Sequence, residues 1–435
     1  MTGGLGDGWG DPWADRVAER LADQLDERLA AADAALERGY PGERPGRQPV
    51  HTVYVPADRY DAQLVGAYGA TALHTLGEHQ EAFAEIVGDE DIVARVRAKL
   101  AAEPVEDLRI DFEDGYVGKG DDHEDRDLVR AATALAESQG RGEAAPFGGI
   151  RVKCFEAPTR RRSLRTLTRF VHALVEHGGS LDDWVVTLPK VTSVDQVEAM
   201  THTCEALEGE LGLATSTLRF EIQVETPQSI LGSDGTALVA RMVHAAGPRL
   251  TGLHYGTYDY SAFCGIAAEQ QSLEHPVADH AKLVMQAAVA GTGVRLSDGS
   301  TNVLPVGDAD DVRAAWANHH RLVRRSLERG YYQGWDLHPA QLPTRYAATY
   351  AFYRDGLPRA LARLAGYTGS HPASHTGHTS GGVADEPATA RALASYVLRG
   401  LDAGAVDEAE VVDATGLGAE SLRSLAHYGL RSARR

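Results

Sequence analysis

Between residues 51 and 339, eight short runs rich in β-branched and aromatic residues alternate with longer amphipathic stretches. The runs are His51–Arg59, Leu108–Tyr116, Gly149–Glu156, Trp184–Val191, Leu218–Thr226, Leu250–Tyr260, Gly293–Ser300 and Tyr331–Pro339. Between them, stretches such as Arg160–His177 and Val194–Leu211 carry apolar residues at helical spacing. Parallel strands need long crossover connections, and a helix is the usual one. Eight strand–helix repeats over roughly 300 residues therefore predict an α/β protein, a (β/α)8 TIM barrel. A doubly wound open sheet is the alternative. No glycine-rich phosphate loop follows any strand, which removes the usual nucleotide-binding versions of that alternative.

The flanks have a different texture. Asp11–Arg38 reads as a helix, with Trp13, Val17, Leu21, Leu25, Leu29 and Ala32 on one stripe. The Gly/Pro/Arg-rich stretch Gly39–Pro49 reads as a linker. This N-terminal arm, residues 1–49, is expected to pack on the main domain or on a neighbouring subunit. The barrel is assigned to 50–365, a flexible linker holding His371, His375 and His378 to 366–384, and a small C-terminal helical unit to 385–435.

Within the barrel, the fifth run inverts the usual strand pattern. In Leu218–Thr226, Phe220, Ile222 and Val224 form one face, and Glu221, Gln223 and Glu225 form the other. An ionised carboxylate inside a barrel is costly unless it is paired or bound to a cation. Glu225 stands where Pro227 ends the ladder, at the C-terminal strand end where barrel enzymes build their sites. The second run repeats the inversion: Asp111 and Glu113 oppose Ile110 and Phe112, and Asp114 follows. The third offers Arg151 and Lys153, the sixth ends in Asp259, and the eighth ends in Asp336-Leu337-His338. Adjacent strands lie about 4.8 Å apart, so Glu225 and Asp259 can share one divalent cation, Mg²⁺ or Mn²⁺. Arg151 suits a substrate carboxylate, because its guanidinium fork donates two hydrogen bonds. A metal beside an arginine fits a 2-oxo acid whose enolate is stabilised as a carbon–carbon bond breaks or forms. Plainer readings exist for each residue. Glu225 could be a buried ion pair, Asp259 a helix cap before Ser261, and Arg151 a partner of Asp111 or Glu113 only. Lys190 could form a Schiff base but reads more simply as an ion pair.

The order P-A-D-R, D-F-E-D-G, I-R-V-K, L-P-K-V, V-E-T-P, Y-D-Y and L-H-P-A-Q resembles the citrate lyase β-subunit, malyl-CoA lyase and HpcH/HpaI aldolase group of phosphoenolpyruvate/pyruvate-type barrels. The resemblance runs from about Val53 to Gln341. It implies a Mg²⁺-dependent carbon–carbon lyase or aldolase acting on a 2-oxo acid or an acyl-CoA thioester. By the same resemblance, Glu225 and Asp259 are metal ligands, and Arg151, Glu113, Asp111, Asp114 and Lys190 form the catalytic set. Arg151, Arg59, Thr226 and His338 are the residues expected to touch substrate. The segment GTYDYSAFCG is closer to malate synthase, so a Claisen condensation is the alternative, with a non-catalytic oxo-acid-binding barrel as a third reading.

Charge narrows the partners. With 43 basic and 62 acidic residues the net charge is −19, which disfavours nucleic acid and anionic membranes but not a small anionic substrate in a local pocket. Three scattered cysteines, Cys154, Cys204 and Cys264, suggest a reducing compartment without a disulfide framework. The first residues show no signal-peptide pattern, so a cytoplasmic location is expected. A homo-oligomer is expected as well.

Overall fold

The computed structural model describes residues 12–369, 378–380, 383–385 and 387–426. Eight parallel strands form one sheet: β1 (His51–Pro56), β2 (Asp107–Asp111), β3 (Phe147–Arg151), β4 (Trp184–Leu188), β5 (Arg219–Val224), β6 (Leu250–Tyr255), β7 (Arg295–Ser297) and β8 (Gly334–Asp336). Their order is β7-β6-β5-β4-β3-β2-β1-β8. The ring closes between β7 and β8 through a single bridge, Ser297 to Gln333, supported by the hydrogen bonds Asp298 N–H to Gln333 O (2.8 Å) and Trp335 N–H to Gly299 O (3.3 Å). The fold is the expected (β/α)8 barrel.

Each strand is shorter than its sequence run, and nearly all of the loss is at the C-terminal end. The alternation of side chains continues past the last ladder residue into loops, so Glu113, Lys190 and Glu225 all lie just beyond their strands.

In chain order the helices are α1 (Pro12–Gly39), α2 (Leu64–Glu78), α3 (Gln80–Val87), α4 (Glu90–Ala102), α5 (Asp121–Arg141), α6 (Arg160–Glu176), α7 (Val194–Leu211), α8 (Pro227–Ile230), α9 (Leu238–Ala246), α10 (Thr257–Phe263), α11 (Pro276–Val289), α12 (Ala309–Glu328) and α13 (Leu342–Gly369). The C-terminal unit adds α14 (Pro387–Asp402), α15 (Glu408–Thr415) and α16 (Ala419–Ala426). None of the described helices is long and apolar enough to cross a membrane.

The core lies between sheet and helices. Val55, Ile110, Ile150, Val186, Phe220 and Leu250 are buried at successive register positions around the outside of the sheet. Phe170 of α6 stacks on Trp184 of β4 at 6.2 Å and meets Phe112 edge-on. Burying each such side chain contributes about 1.5–3 kcal/mol. Helix ends are set locally: Asp308 and Asp311 form a capping box before α12, and Ser193 accepts from Gln196 N–H at the start of α7.

In the flanks, Trp13, Leu21, Leu25, Leu29 and Leu36 of α1 are exposed, so of the two partners expected for the arm's apolar stripe, the barrel is not the one that covers it. In the stretch read as a linker, α13 continues to Gly369, and His378–Ser380 pairs antiparallel with Val383–Asp385. His371 and His375 lie outside the described residues.

Candidate active site

The barrel interior is polar, in layers. At the N-terminal end, Thr52 Oγ1 donates to Asp107 (2.8 Å) and accepts from Gln333 (2.8 Å). Above it, Arg109 crosses the barrel from β2 to β5 and donates twice to Glu221, at 3.1 Å each, while also pairing with Asp107. His254 Nε2 is 2.7 Å from the same Glu221, and Thr187 Oγ1 donates to it at 2.5 Å. Against the penalty of burial, Arg109 and His254 hold the Glu221 carboxyl well below its usual range. Thus Glu221 has its partners, and the costly interior charge seen in the sequence is neutralised within the protein.

The next layer is Arg151. Its Nε and Nη2 each donate to Asp111 at 2.7 Å, and Nη1 reaches Gln223 at 3.3 Å and Glu113 at 3.5 Å. Its guanidinium lies 4.7 Å from the centre of the Tyr54 ring and 5.5 Å from that of Trp335. The side chain is 2% exposed. Asp111 also accepts from Glu113 N–H and Gly115 N–H, and so shapes the loop after β2. A Cβ at Gly115 would lie 2.6 Å from Asp111 Oδ2, so only glycine lets that loop wrap the carboxylate.

At the C-terminal end, four carboxylates surround one ammonium. Lys190 Nζ is 2.6 Å from Glu113, 2.7 Å from Asp114, 3.1 Å from Asp259 and 3.8 Å from Glu225. Lys190 has φ +50°, a left-handed backbone that a lysine rarely adopts. Its own N–H donates to Glu225 Oε1 at 2.8 Å. Exposure is graded: the Glu225 side chain is 1% exposed at the floor, Glu113 9%, Lys190 23%, Asp259 38% and Asp114 53% at the rim.

These neighbours move the proton affinities apart. Burial pushes the Glu225 carboxyl up to about 8, with Asp259 and Glu113 adding and Lys190 and Arg151 opposing. Burial pushes Glu113 up to about 7, within reach of proton exchange near neutrality. Asp114 is held below its usual range by hydrogen bonds from Glu113 and Lys190, against its own burial. The ammonium of Lys190 is raised despite burial, by Glu225 and Glu113 foremost.

Among the described residues, no group of three or more His, Cys, Asp or Glu side chains converges at metal-ligand distance. Glu225 and Asp259, each within 4 Å of the Lys190 ammonium, offer two hard oxygen donors. That is the donor set Mg²⁺ takes when water and substrate complete its octahedron, so these residues fit such an ion in kind and number.

The other expected site residues have different surroundings. Asp259 sits in the first turn of α10 rather than on β6 itself. Thr226 is buried, and its hydroxyl donates to Val191 O at 2.6 Å, tying the end of β5 to the loop that carries Lys190. His338 Nδ1 accepts from Ala340 N–H at the start of the 3-10 turn Pro339–Gln341, a capping contact. Arg59, in the turn after β1, is exposed and makes no ion pair among the described residues. Lys153 turns away from the barrel to Phe112 O and Glu124 because β3 stops at Arg151. Asp336 faces outward, between His51, His319 and Arg345. Sequence reading passed over Arg109, His254, Tyr54 and Trp335. Counting back by two from Asp111 would have found Arg109.

Residues 29–430 match the family described as a domain of unknown function, DUF6986. No curated protein matches the sequence. Among solved structures, a citrate lyase from Burkholderia xenovorans LB400 superposes with a TM-score of 0.60 at 19% identity, covering 86% of this chain and 97% of the other. A malate synthase from Haloferax volcanii, solved as a lead(II) complex, gives 0.49 at 15% identity, covering 70% and 74%. The protein CitE from Mycobacterium tuberculosis, in complex with magnesium, acetoacetate and coenzyme A, gives 0.47 at 18%, covering 82% and 99%. At these identities the first likeness speaks for the fold alone.

Proposed function

This chain belongs to the DUF6986 family, and we propose that it is a carbon–carbon lyase or aldolase acting on a 2-oxo acid or acyl thioester. The observation that carries this reading is the ring of Glu113, Asp114, Glu225 and Asp259 around Lys190, at the end of the barrel where such enzymes act. Supporting it, Glu225 is a buried carboxylate whose nearest cation, Lys190, is shared with three other carboxylates. Glu225 and Asp259 would hold Mg²⁺ or Mn²⁺, and when bound the ion would supply Lewis-acid stabilisation to an enolate oxygen. The protein's own groups do the remaining work. Arg151 is fixed by Asp111, Tyr54 and Trp335, which leaves Nη1 as the nitrogen free of Asp111 to orient a substrate oxygen. Arg59 at the mouth suits a distal carboxylate or phosphate. The buried floor excludes water from the reacting carbon. A small anionic substrate and a cytoplasmic homo-oligomer belong to the same reading.

The test is a panel of 2-oxo, 3-hydroxy and 3-hydroxyacyl substrates, with and without coenzyme A, in Mg²⁺ or in chelator. Metal-dependent cleavage or condensation of at least one is expected, and Glu225→Gln should lose both turnover and the Mg²⁺-induced thermal shift. No turnover on any member, together with no Mg²⁺ shift in the wild type, would overturn the proposal. One observation favours a second reading, a barrel that holds an oxo acid without converting it: Asp111 already takes two of the Arg151 nitrogens. Saturable oxo-acid binding without turnover would select it.

A further inference from the structure

The opposite end of the barrel holds a cavity of about 300 Å³ that the proposed chemistry does not use. Its walls come from segments that precede strands, namely the Glu43–Val50 linker, the turn before β7 and the turn before β8, and from α14 and α16 of the C-terminal unit. In a chain with 19 more acidic than basic side chains, five arginines line this one space. They are Arg44, Arg47, Arg295, Arg399 and Arg423.

Their partners do not use up the charge. Arg47 is spent on Glu103 and Glu106. Among the described residues, Arg295 donates only to backbone, to Arg47 O at 2.7 Å and Gly46 O at 2.6 Å. Arg44 likewise donates to Pro248 O and Leu250 O, at 3.3 and 3.1 Å. Arg399 reaches the exposed Glu43 at 3.2 Å and lies 4.4 Å from the centre of the Tyr332 ring. The one other acidic side chain on the wall, Asp402, lies in the field of Arg423, Arg47, Arg295 and Arg399 but forms no ion pair within 4 Å among the described residues. Four arginines thus face two carboxylates. Crowding like charges in a half-buried space is unfavourable, and burial with Arg44 and Arg399 lowers the Arg295 guanidinium to about 10. Surface ion-pair networks alternate their signs; this cluster does not. Tyr332, Tyr353 and Leu398 add an apolar wall on one side.

We propose that this cavity is a second ligand site, taking a small organic polyanion whose phosphate or carboxylate groups meet Arg295 and Arg399. Bound there, the anion bridges the barrel floor to α14, so occupancy couples the C-terminal helical unit to the barrel.

The test uses the full chain and two probes, pyrophosphate and tricarballylate, titrated calorimetrically. At least one should bind saturably with a Kd below about 1 mM. Arg399→Gln and Arg295→Gln should each weaken it by about tenfold or more, since each removes a charge-assisted contact. Arg59→Gln, at the other end of the barrel, should leave it unchanged. The preferred probe identifies phosphoryl or carboxylate recognition. Should Arg295→Gln not fold, the exposed Arg423→Gln takes its place beside Arg399→Gln. Absence of saturable binding of either probe up to about 10 mM, binding untouched by the cavity variants, or binding lost in Arg59→Gln would each overturn the proposal.

Discussion

Gly256→Ala tests the site through one methyl group. Gly256 has φ −96° and ψ 96°, a conformation open to any residue, so alanine adds no backbone strain. Its Cβ would instead lie 2.5 Å from Glu225 Cβ and 2.7 Å from Glu225 Oε2. Ordinary carbon contacts are about 3.5–4 Å, and a Cβ moves only with its main chain, so the end of β5 that carries Glu225 must give way by roughly 1 Å. That retreat also stretches its 2.8 Å hydrogen bond from Lys190 N–H. A misplacement of about 1 Å at a reacting centre lowers turnover roughly a hundredfold, or about 2.7 kcal/mol of barrier. Overpacking should lower stability by only about 1–3 kcal/mol. The assay is turnover on the best panel substrate, with the Mg²⁺-induced thermal shift as a readout independent of activity. Gly148→Ala is the control, because its Cβ would meet only Leu108 O at 3.6 Å. Wild-type turnover and Mg²⁺ response in Gly256→Ala would show that Glu225 does not hold the position argued for it.

Two further outcomes follow from the buried network. Arg109→Met leaves Asp107 and Glu221 without their main cation and should destabilise by about 3–5 kcal/mol in urea unfolding; a loss under about 1 kcal/mol would mean the barrel centre is wetter than described. His320, whose Nε2 is buried without a partner among the described residues, has its pKa lowered to about 4 by burial, with His319 and Arg324 adding. The unfolded chain, with an ordinary value near 6.5, takes up the proton first as pH falls. Stability is therefore full above about 6.5 and declines toward 4, by about 2 kcal/mol at pH 5. His320→Leu should flatten that decline; an unchanged slope between pH 7 and 5 would refute the assignment.

The barrel was legible because a parallel strand buried on one side by helices must show its apolar period, as Ile110, Ile150, Val186 and Phe220 do. Glu225 stood out for the converse reason, as a carboxylate on a strand's interior face. Strand ends were not legible, since Glu113 and Lys153 continue the alternation where no ladder exists. Those two residues then part: Glu113 turns in to Lys190, and Lys153 turns out to Glu124. Nothing in a strand's own period tells which partner wins, because each partner comes from a distant element. The same limit applies to Arg151. Its residue type suits a substrate clamp, but only the fold brings Asp111, 40 positions away in sequence, against two of its nitrogens. The cavity at the barrel floor was invisible for a stronger reason, since its arginines are scattered from the linker to the last helix.

The thin closure between β7 and β8 has a consequence for motion. Five residue pairs register β5 against β6, and four register β1 against β2, whereas one bridge joins Ser297 to Gln333. Few hydrogen bonds must break to part the cylinder there, so this joint should open at a lower free energy than the β5–β6 pairing. The amides of Asp298 and Trp335 should exchange with solvent deuterium ahead of those in β4 and β5. Built this way, the barrel is a sheet with one seam rather than a uniform hoop.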